Sequence, residues 1–581
     1  MGSKVEANNS DIPAFSKRLA QIIPPEKKAE YLKNFLLFSL FICYPSTAVK
    51  VNLRNIFYTT YLLIASISLS SAQHIVIIET SDFHGSLEPR QIKELNNQMV
   101  GGVQLISSHI KYLRETYPDS LILLDGGDIM QGSIISNLSK GKATIEFYNY
   151  LNYDAATIGN HEWDFGYDEI SRDNQGVLKM RILNATFPFI VANVYYSETG
   201  KPFTLSNLKP YTIIERKGIK IGVIGVTTTS TPITTHPNNI KGLYFSDPVK
   251  EIKSLIPEIQ SKGTSTIIVL SHTGGKCNTS NECSGEIFDI ARNLSSDSVS
   301  VIFGGHTHNP LTATIDGIKI VQPGAYGISY GRADLYFDES TKKFINSKTR
   351  VTSPVYFTET ISEKGELITL KPDSDALKNL APYFLSVERL KKDIICEATE
   401  DIDIVSRDTL PLGQLITEAM LTYPDIKGDI AIYNTGGIRS GIKKGAVTYG
   451  RVYEIIPFDN TLVSVKLTGY QIKDILEMSA STKDIDDLLG ISGIVVHIDF
   501  SKEIGNRVVK ILRNNKPIKM EDKFTVFTND FLYAGGDGYD SFRRGESPVI
   551  TQTLIRDLFE NYLRKKKVIS SPKKSNYIIV R

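Results

Sequence analysis

Five short strings in this chain carry side chains that can bind divalent metals, and each follows an apolar run typical of a β-strand. The strings are SDFH (81–84), GGD (126–128), GNHEWDFG (159–166), SHTGG (271–275) and GGHTH (304–308). They contain five of the nine histidines of the chain. Their metal-binding residue types are Asp82, His84, Asp128, Asn160, His161, His272, His306 and His308. This set predicts two adjacent divalent metals and one free imidazole.

Taken singly, the strings have ordinary structural explanations. Asp82 could cap a turn, and Asp128, which follows two glycines, could be a turn residue. Taken together and in this order, they favour a metal centre in which Asp128 bridges the two ions. Mixed Asp, His and Asn ligation suits zinc, manganese or iron better than an all-oxygen calcium site.

A pair of divalent metals suits phosphoester hydrolysis, because it lowers the pKa of a bound water and holds the phosphate oxygens. His161 lies beside Asn160, and Asp164 follows three residues later, where it can orient the imidazole. An imidazole outside the metal shell can donate to the leaving group.

The strings are spaced as in a layered α/β domain. From His74 to about residue 365, β-branched apolar runs such as LILLD, IKIGVIGV and STIIVLS alternate with polar or amphipathic stretches. Because ligands bind beyond the carboxyl ends of strands in α/β sheets, the strings are expected to converge on one site.

A chain of 581 residues is expected to form two folded domains. Residues 372–396 predict one helix with an internal proline, and this helix could connect the domains and act as a pivot between them. The predicted limits are 1–72 for an extension with a signal-like segment, 73–365 for the first domain, 366–396 for the linker helix, 397–565 for a second α/β domain and 566–581 for a basic tail.

The net charge of +2, from 66 basic and 64 acidic residues, gives no reason to expect nucleic acid as a partner. Cys277 and Cys283 flank a polar loop and could form a disulfide in an oxidising compartment. A zinc site is the competing interpretation, although the short CxxC pairs of zinc ribbons are missing. Cys396 would then be unpaired.

A signal-like segment lies unusually far inside the chain. Arg54 precedes an apolar run, 56–69, and small residues there favour cleavage after Ala72. The alternative is an uncleaved anchor, although the run is shorter than a membrane span requires. Sequons at Asn137, Asn184, Asn278 and Asn293 add weak support for secretion. The C-terminus lacks the apolar tail of a lipid-anchor signal, so a secreted protein without a stable membrane anchor is expected.

The five strings resemble the calcineurin-like metallophosphoesterase superfamily, and GNHEWDFG with GGHTH resembles its 5′-nucleotidase/apyrase family. The resemblance implies a four-layer α/β/β/α metallophosphoesterase domain. It assigns one metal to Asp82, His84, Asp128 and His308, and the other to Asp128, Asn160, His272 and His306. His161 with Asp164 matches the catalytic dyad of the family. Zinc is the metal first expected, with manganese or another divalent ion as alternatives.

NTGGIR (434–439), IPFDN (456–460) and FLYAGGDGY (531–539) resemble the nucleotide-binding C-terminal domain of the same family. The resemblance implies that Phe458 and Phe531 sandwich the base and that Asp537 accepts the ribose hydroxyls. The residues that match the loop contacting base, ribose and phosphate are Asn434, Gly437 and Arg439. Arg407 is the candidate for a second family arginine, but it lies one residue closer to Gly413 than the family pattern.

The sequence therefore predicts a secreted 5′-nucleotidase that acts on extracellular nucleoside monophosphates such as AMP. An apyrase that cleaves ATP and ADP with the same site is the alternative. A Ser/Thr protein phosphatase shares the metal motifs, but the base-stacking residues argue against it. Outside enzymes, a nucleotide-binding scavenger without turnover would require a missing ligand, and no motif position is vacant. The oligomeric state is left open.

Overall fold

The computed structural model describes residues 72–278, 282–482 and 484–581. Residues 1–71 of the predicted extension, including its apolar run 56–69, lie outside the described residues. Only Ala72 of that segment is described, as the first residue of a strand.

The N-terminal domain contains many short strands and seven helices, and an eighth helix follows it. The strands are β1 (Ala72–Thr80), β2 (Arg90–Ile92), β3 (Gln98–Val100), β4 (Leu121–Asp125), β5 (Ala155–Thr157), β6 (Phe189–Ile190), β7 (Val194–Tyr196), β8 (Leu208–Lys209), β9 (Tyr211–Arg216), β10 (Ile219–Thr227), β11 (Leu243–Phe245), β12 (Thr266–His272), β13 (Lys276–Cys277), β14 (Cys283–Ser284), β15 (Val299–Phe303), β16 (Leu311–Ile315), β17 (Ile318–Gln322), β18 (Ser329–Asp338), β19 (Arg350–Tyr356), β20 (Thr360–Glu363) and β21 (Glu366–Thr369). The helices are α1 (Gly102–Thr116), α2 (Ile134–Leu138), α3 (Lys142–Leu151), α4 (Gly176–Asn184), α5 (Thr231–Thr234), α6 (Pro248–Ser261), α7 (Glu286–Arg292) and α8 (Ser374–Lys392).

Two sheets pack face to face in this domain. One has seven strands in the order β19-β18-β1-β4-β5-β6-β8, and the other has six in the order β16-β17-β15-β12-β10-β9. A buried apolar core that includes Ile77, Leu124, Val223 and Leu270 lies between them. Separate cores join the first sheet to α1 and α3, and the second sheet to α6 and α7. The predicted four-layer α/β/β/α fold is therefore confirmed.

The connecting helix is shorter than predicted. The interval 372–396 was expected to be one helix, whereas α8 begins at Ser374, where the Asp373 side chain accepts from the Asp375 amide, and ends at Lys392. Residues Ile394–Ala398 form strand β22, because the side chains of Ile395, Cys396 and Ala398 enter the core of the second domain. The internal proline, Pro382, was expected near the first turns of the helix, and it lies in the middle.

The C-terminal domain holds the remaining elements. Its strands are β22 (Ile394–Ala398), β23 (Ile430–Tyr433), β24 (Gly445–Thr448), β25 (Thr461–Thr468), β26 (Gly490–Ser492), β27 (Val495–Asp499), β28 (Val508–Arg513), β29 (Lys516–Pro517), β30 (Lys523–Asn529), β31 (Glu546–Leu554), β32 (Val568–Ile569) and β33 (Tyr577–Val580). Its helices are α9 (Pro411–Met420), α10 (Tyr449–Ile455), α11 (Gly469–Ser479), α12 (Asp530–Tyr533) and α13 (Ile555–Lys566). The largest sheet has the order β26-β23-β30-β25-β31.

The last residues of the chain belong to this domain. The predicted domain ended at residue 565 and was followed by a basic tail, whereas β33 pairs in parallel with β27. Tyr577 is buried, and its hydroxyl donates to the Leu489 carbonyl oxygen. The apolar YIIV segment therefore completes a sheet edge although the residues before it are polar.

The predicted disulfide is present. Cys277 and Cys283 are joined across the small β13–β14 hairpin. Cys396 is buried as a free thiol in the core of the C-terminal domain, where burial raises its pKa to about 11.

Candidate functional site

The five strings of the N-terminal domain meet at one edge of its two sheets. Each follows the carboxyl end of a strand: Asp82 follows β1, Asp128 follows β4, Asn160 follows β5, and His306 follows β15, while His272 is the last residue of β12. Five of these residues have a positive φ, an unusual backbone conformation for a residue other than glycine. They are Asp82, His84, Asp128, His306 and His308.

The loops approach one another too closely for larger residues. Gly127 has a φ of +93°, and a side chain there would collide with the Gly159 backbone. A Cβ on Gly159 would lie 2.2 Å from Asp128 Oδ1. Gly127 and Gly159 therefore allow Asp128 and the Asn160 loop to come into contact.

Two clusters of candidate metal ligands result. The ligand atoms of Asp82, His84 and His308 lie within 4.8 Å of one another, as do those of Asp128, His272 and His306. Asn160 joins the second cluster, since its Oδ1 lies 3.2 Å from His272 Nε2.

Asp128 lies between the clusters. Its Oδ2 is 3.1 Å from His272 Nε2 and 3.9 Å from His84 Nε2, which belong to different clusters. Its other oxygen, Oδ1, accepts from the His161 backbone N–H at 2.8 Å. This position is the one that a bridging carboxylate requires.

Backbone carbonyls orient two of the imidazoles. His84 Nδ1 lies 2.8 Å from the Gln131 oxygen, and His272 Nδ1 lies 2.8 Å from the Gly126 oxygen. Because a carbonyl oxygen only accepts, each Nδ1 carries a proton, and Nε2 is the ring atom that faces the cluster. Outer hydrogen bonds of this kind are typical of metal-binding histidines.

The charges of these side chains also suit divalent metals. Burial alone would raise the pKa of Asp82, yet His308 beside it lowers that pKa to about 2. Burial lowers the pKa of His306 to about 4 and the pKa of His84 well below its usual value. Asp128, by contrast, raises the pKa of the buried His272 to about 10, so this imidazole must lose a proton when a metal binds. Ionised carboxylates and neutral imidazoles are the forms that bind metal, and with that one deprotonation the donor set fits two divalent ions.

His161 lies outside both clusters and forms a dyad with Asp164. Its Nδ1 is 2.5 Å from Asp164 Oδ2. Burial opposes a charge on the imidazole, but the carboxylates of Asp164 and Asp128 raise the pKa of His161 above its ordinary value. Thr235 Oγ1 donates to the other oxygen, Asp164 Oδ1, at 2.7 Å.

The candidate substrate residues of the C-terminal domain form a second group. Asn529 Nδ2 donates to Asn434 Oδ1 at 2.9 Å, and Asn434 Nδ2 donates to Asp537 Oδ2 at 3.0 Å. Burial raises the pKa of Asp537 to about 6. Gly536 packs against the Phe531 ring, because a Cβ there would lie 2.5 Å from ring atoms. Gly437 is packed against Tyr433 in the same manner.

This group reaches the metal clusters across the domain boundary. The rings of His161 and Phe458 lie 5.5 Å apart, and Arg439 Nη2 lies 3.3 Å from His84 Nε2. Asn137 Nδ2 donates to the Pro457 oxygen at 2.9 Å and so holds the loop that carries Phe458. The base-stacking residue and the arginine therefore lie beside the dyad and the first cluster.

Arg407 is a predicted site residue for which the structure shows no contact with the others. It lies on an exposed turn with a φ of +54°. Its side chain forms no hydrogen bond or ion pair within 72–278, 282–482 and 484–581. Its role stays a prediction.

Sequence analysis missed a buried acid that supports the site. The Glu162 carboxylate accepts from the backbone N–H groups of Asp128, Ile129 and Gly159 at 2.6–2.7 Å. Burial raises its pKa to about 7. A glutamate inside GNHEWDFG was the available signal, whereas Thr235 lies 71 residues from Asp164 and had none.

Among the described residues, no helix is long and apolar enough to cross a membrane.

Comparison with known families divides the chain into two matched parts. Residues 75–310 match the family model for calcineurin-like phosphoesterases. Residues 394–544 match the family model for the 5′-nucleotidase C-terminal domain. Both candidate metal clusters fall within the first range, and the group from Asn434 to Asp537 falls within the second.

Individual relatives extend over both parts. Snake venom 5′-nucleotidase from Crotalus adamanteus is 26% identical over 566 residues, covering 90% of this chain and 90% of the relative. Endonuclease YhcR from Bacillus subtilis is 29% identical over 476 residues, but this chain spans only 37% of its length. The crystal structure of a 5′-nucleotidase precursor from Thermus thermophilus is 27% identical, with a TM-score of 0.73, covering 88% of this chain and 100% of that one.

Proposed function

We propose a substrate for this chain, which belongs to the 5′-nucleotidase family and is a phosphoesterase: it hydrolyses nucleoside 5′-monophosphates such as AMP to nucleoside and phosphate. The observation that carries the proposal is the contact of the two domains at the site. The ring centroids of Phe458 and His161 lie 5.5 Å apart, and Arg439 Nη2 lies 3.3 Å from His84 Nε2. A base stacked on Phe458 would have its 5′-phosphate within reach of the candidate metal ligands.

The proposed metal ligands are Asp82, His84, Asp128 and His308 for one ion and Asp128, Asn160, His272 and His306 for the other. Zinc is the expected metal, with manganese as the alternative. Two such ions would activate a water and balance the charge of the phosphate oxygens.

The remaining roles belong to the protein itself. His161, whose pKa is raised by Asp164 and Asp128, is placed to donate a proton from its Nε2 to the leaving ribose oxygen. Arg439 binds the phosphate. Phe458 and Phe531 stack on the base, and this stacking accepts any of the bases because each has a π-face. Asp537 accepts hydrogen bonds from the ribose hydroxyls. Asn434 and Gly437 belong to the loop that also carries Arg439, and this loop contacts the substrate. Arg407 is proposed as a second phosphate arginine.

An apyrase that hydrolyses ADP and ATP is the second candidate function. A cavity of about 370 Å³ opens beside His84 and Arg439, and it offers room for more than one phosphate group. The same metal ligands and dyad would serve either substrate.

Phosphate release from AMP, ADP and ATP, measured side by side with zinc or manganese added, tests both functions. We expect release from AMP, abolished by chelation. Faster release from ADP and ATP would favour the apyrase. Because one relative is an endonuclease, a DNA oligonucleotide belongs in the same series, and its cleavage in preference to AMP would contradict the proposal. Stoichiometric AMP binding without phosphate release in excess zinc would identify a scavenger.

We also propose that the protein is secreted and acts on extracellular nucleotides without a stable membrane anchor. The Cys277–Cys283 disulfide supports an oxidising compartment. Expression in a eukaryotic secretory host, followed by N-terminal sequencing of the protein in the medium, tests both secretion and cleavage after Ala72. Retention of the full chain inside the cell would contradict the proposal.

A further inference from the structure

A cavity of about 370 Å³ extends from the first metal cluster along the boundary between the two domains. His84 and Tyr326 form one side of it, and Arg439 and Pro457 contribute from the C-terminal domain. Arg90, which no motif of the chain singled out, also lines the cavity.

The charges around the cavity do not cancel. Its two acidic side chains are already paired, Glu88 with Lys391 and Glu454 with Arg451. Arg90 and Arg439 are half-buried, and neither pairs with a carboxylate anywhere in the described part of the chain. Because a guanidinium stays charged at every relevant pH, the cavity keeps two uncompensated positive charges.

Arg90 is held in place without using most of its donors. Its guanidinium lies over the Tyr326 ring, with 4.6 Å from Cζ to the ring centroid. Its one side-chain hydrogen bond among the described residues is from Nη2 to Ser86 Oγ at 3.3 Å. Tyr326 in turn packs against both His84 and His308, with ring centroids 5.4 and 5.2 Å apart. The arginine is thus fixed one aromatic ring away from the first metal cluster, with free N–H groups.

We propose that this cavity is a second phosphate subsite, in which Arg90 binds a phosphate group other than the one that lies between the metal ligands. Arg439 lies between the two positions, beside His84 and in the cavity lining, and donates to both phosphates. Planar guanidinium groups with free donors recognise phosphate through paired hydrogen bonds. The occupant is a phosphate group, and it has two sources: the additional phosphate of a nucleoside diphosphate substrate, or the inorganic phosphate that the reaction releases. If the occupant is the additional phosphate of a substrate, the inference rests on the proposed function. If it is inorganic phosphate, binding can be tested without that function.

Kinetics with ADP and AMP test the substrate source. Relative to the wild type, Arg90→Gln should lower kcat/KM for ADP about tenfold more than kcat/KM for AMP, because a charge-assisted hydrogen bond is lost. Arg90→Lys keeps the charge and should retain most of the ADP preference. Arg389→Gln is the matched control, since Arg389 is exposed on α8 and does not line the cavity. If Arg90→Gln fails to fold, Arg90→Met, which keeps an apolar stem over Tyr326, replaces it.

Calorimetric titration of inorganic phosphate into chelator-treated protein tests the second source without any metal or turnover. Here Arg90→Gln should weaken phosphate binding about tenfold. A change in the ADP-to-AMP ratio assigns the subsite to the substrate, and weaker phosphate binding alone assigns it to the product. An unchanged ratio together with unchanged phosphate affinity would overturn the inference. If the wild type releases no phosphate from either nucleotide, the proposed function fails while the titration still reports on the subsite.

Discussion

Thr235 and His161 bind opposite oxygens of the Asp164 carboxylate. Thr235 Oγ1 donates to Oδ1 at 2.7 Å, and His161 Nδ1 lies 2.5 Å from Oδ2. Asn239 Nδ2 also donates to the Asp164 backbone oxygen. The carboxylate is therefore fixed from two sides, and this fixes the plane of the imidazole. Thr235 itself is buried and does not belong to either metal cluster.

Thr235→Val should lower kcat for AMP about tenfold and leave the metal content unchanged, because one hydrogen bond to a charged group is lost. KM should change little, since Thr235 acts through Asp164 and not on the substrate. Thr235→Ser, which keeps the hydroxyl, is the control and should retain most of the activity. Full activity in Thr235→Val would show that the hydroxyl is not needed. Equal losses in the two variants would show that loss of the hydrogen bond alone does not explain the effect, since serine keeps the hydroxyl.

His161→Ala should lower kcat about 10²-fold or more, because the proton donor to the leaving group is removed. Its metal content, measured by elemental analysis, should equal that of the wild type, since His161 stands outside both clusters. A fall in bound metal would mean that His161 is a ligand and that its role has been misassigned.

Glu162→Ala should lower the free energy of unfolding by about 3 kcal/mol or more, because buried backbone N–H groups of Asp128, Ile129 and Gly159 lose their acceptor. Metal affinity should fall as well, since these groups set the Asp128 loop. Glu169→Ala is a matched control, because Glu169 is exposed in the same segment. Chemical denaturation gives the free energy of unfolding of both variants. Equal values would contradict the proposal that the Glu162 carboxylate stabilises the Asp128 loop.

Nucleoside binding should weaken as the pH falls through about 6, the pKa to which burial raises Asp537. Above that pH the ionised carboxylate accepts the ribose hydroxyls, and below it the protonated group loses acceptor strength. Adenosine binding to chelator-treated protein, measured from pH 5 to 7.5, isolates this effect from the metals. Asp537→Asn should bind weakly at all these pH values. A wild-type affinity that stays constant over the range would exclude Asp537 as the acceptor.

Much of the metal site could be predicted because its signals are local. The β-branched runs before Asp82, Asp128 and His272 mark buried strands, and buried parallel strands direct their carboxyl ends to one edge. The positive φ values of Asp82 and Asp128 had no such signal, since they result from the loops being pressed together.

Contacts between distant segments could not be predicted in the same way. Arg90 precedes Tyr326 by more than two hundred residues, and Asn137 bonds a residue 320 positions away. The strand Tyr577–Val580 was missed for a related reason. These four residues form a strand because they pair with β27, and the sequence does not show that pairing. Such relationships depend on the completed fold rather than on any pattern within one segment.

The hydrogen bond from Asn137 to Pro457 has a consequence for carbohydrate attachment. The side-chain nitrogen that would carry a sugar is the atom that donates to the Pro457 oxygen, and Asn137 is 9% exposed. A glycan there and the docked Phe458 loop exclude each other. Asn184, Asn278 and Asn293 are exposed, so within the described part of the chain protein from a glycosylating host should carry sugar at no more than these three sequons.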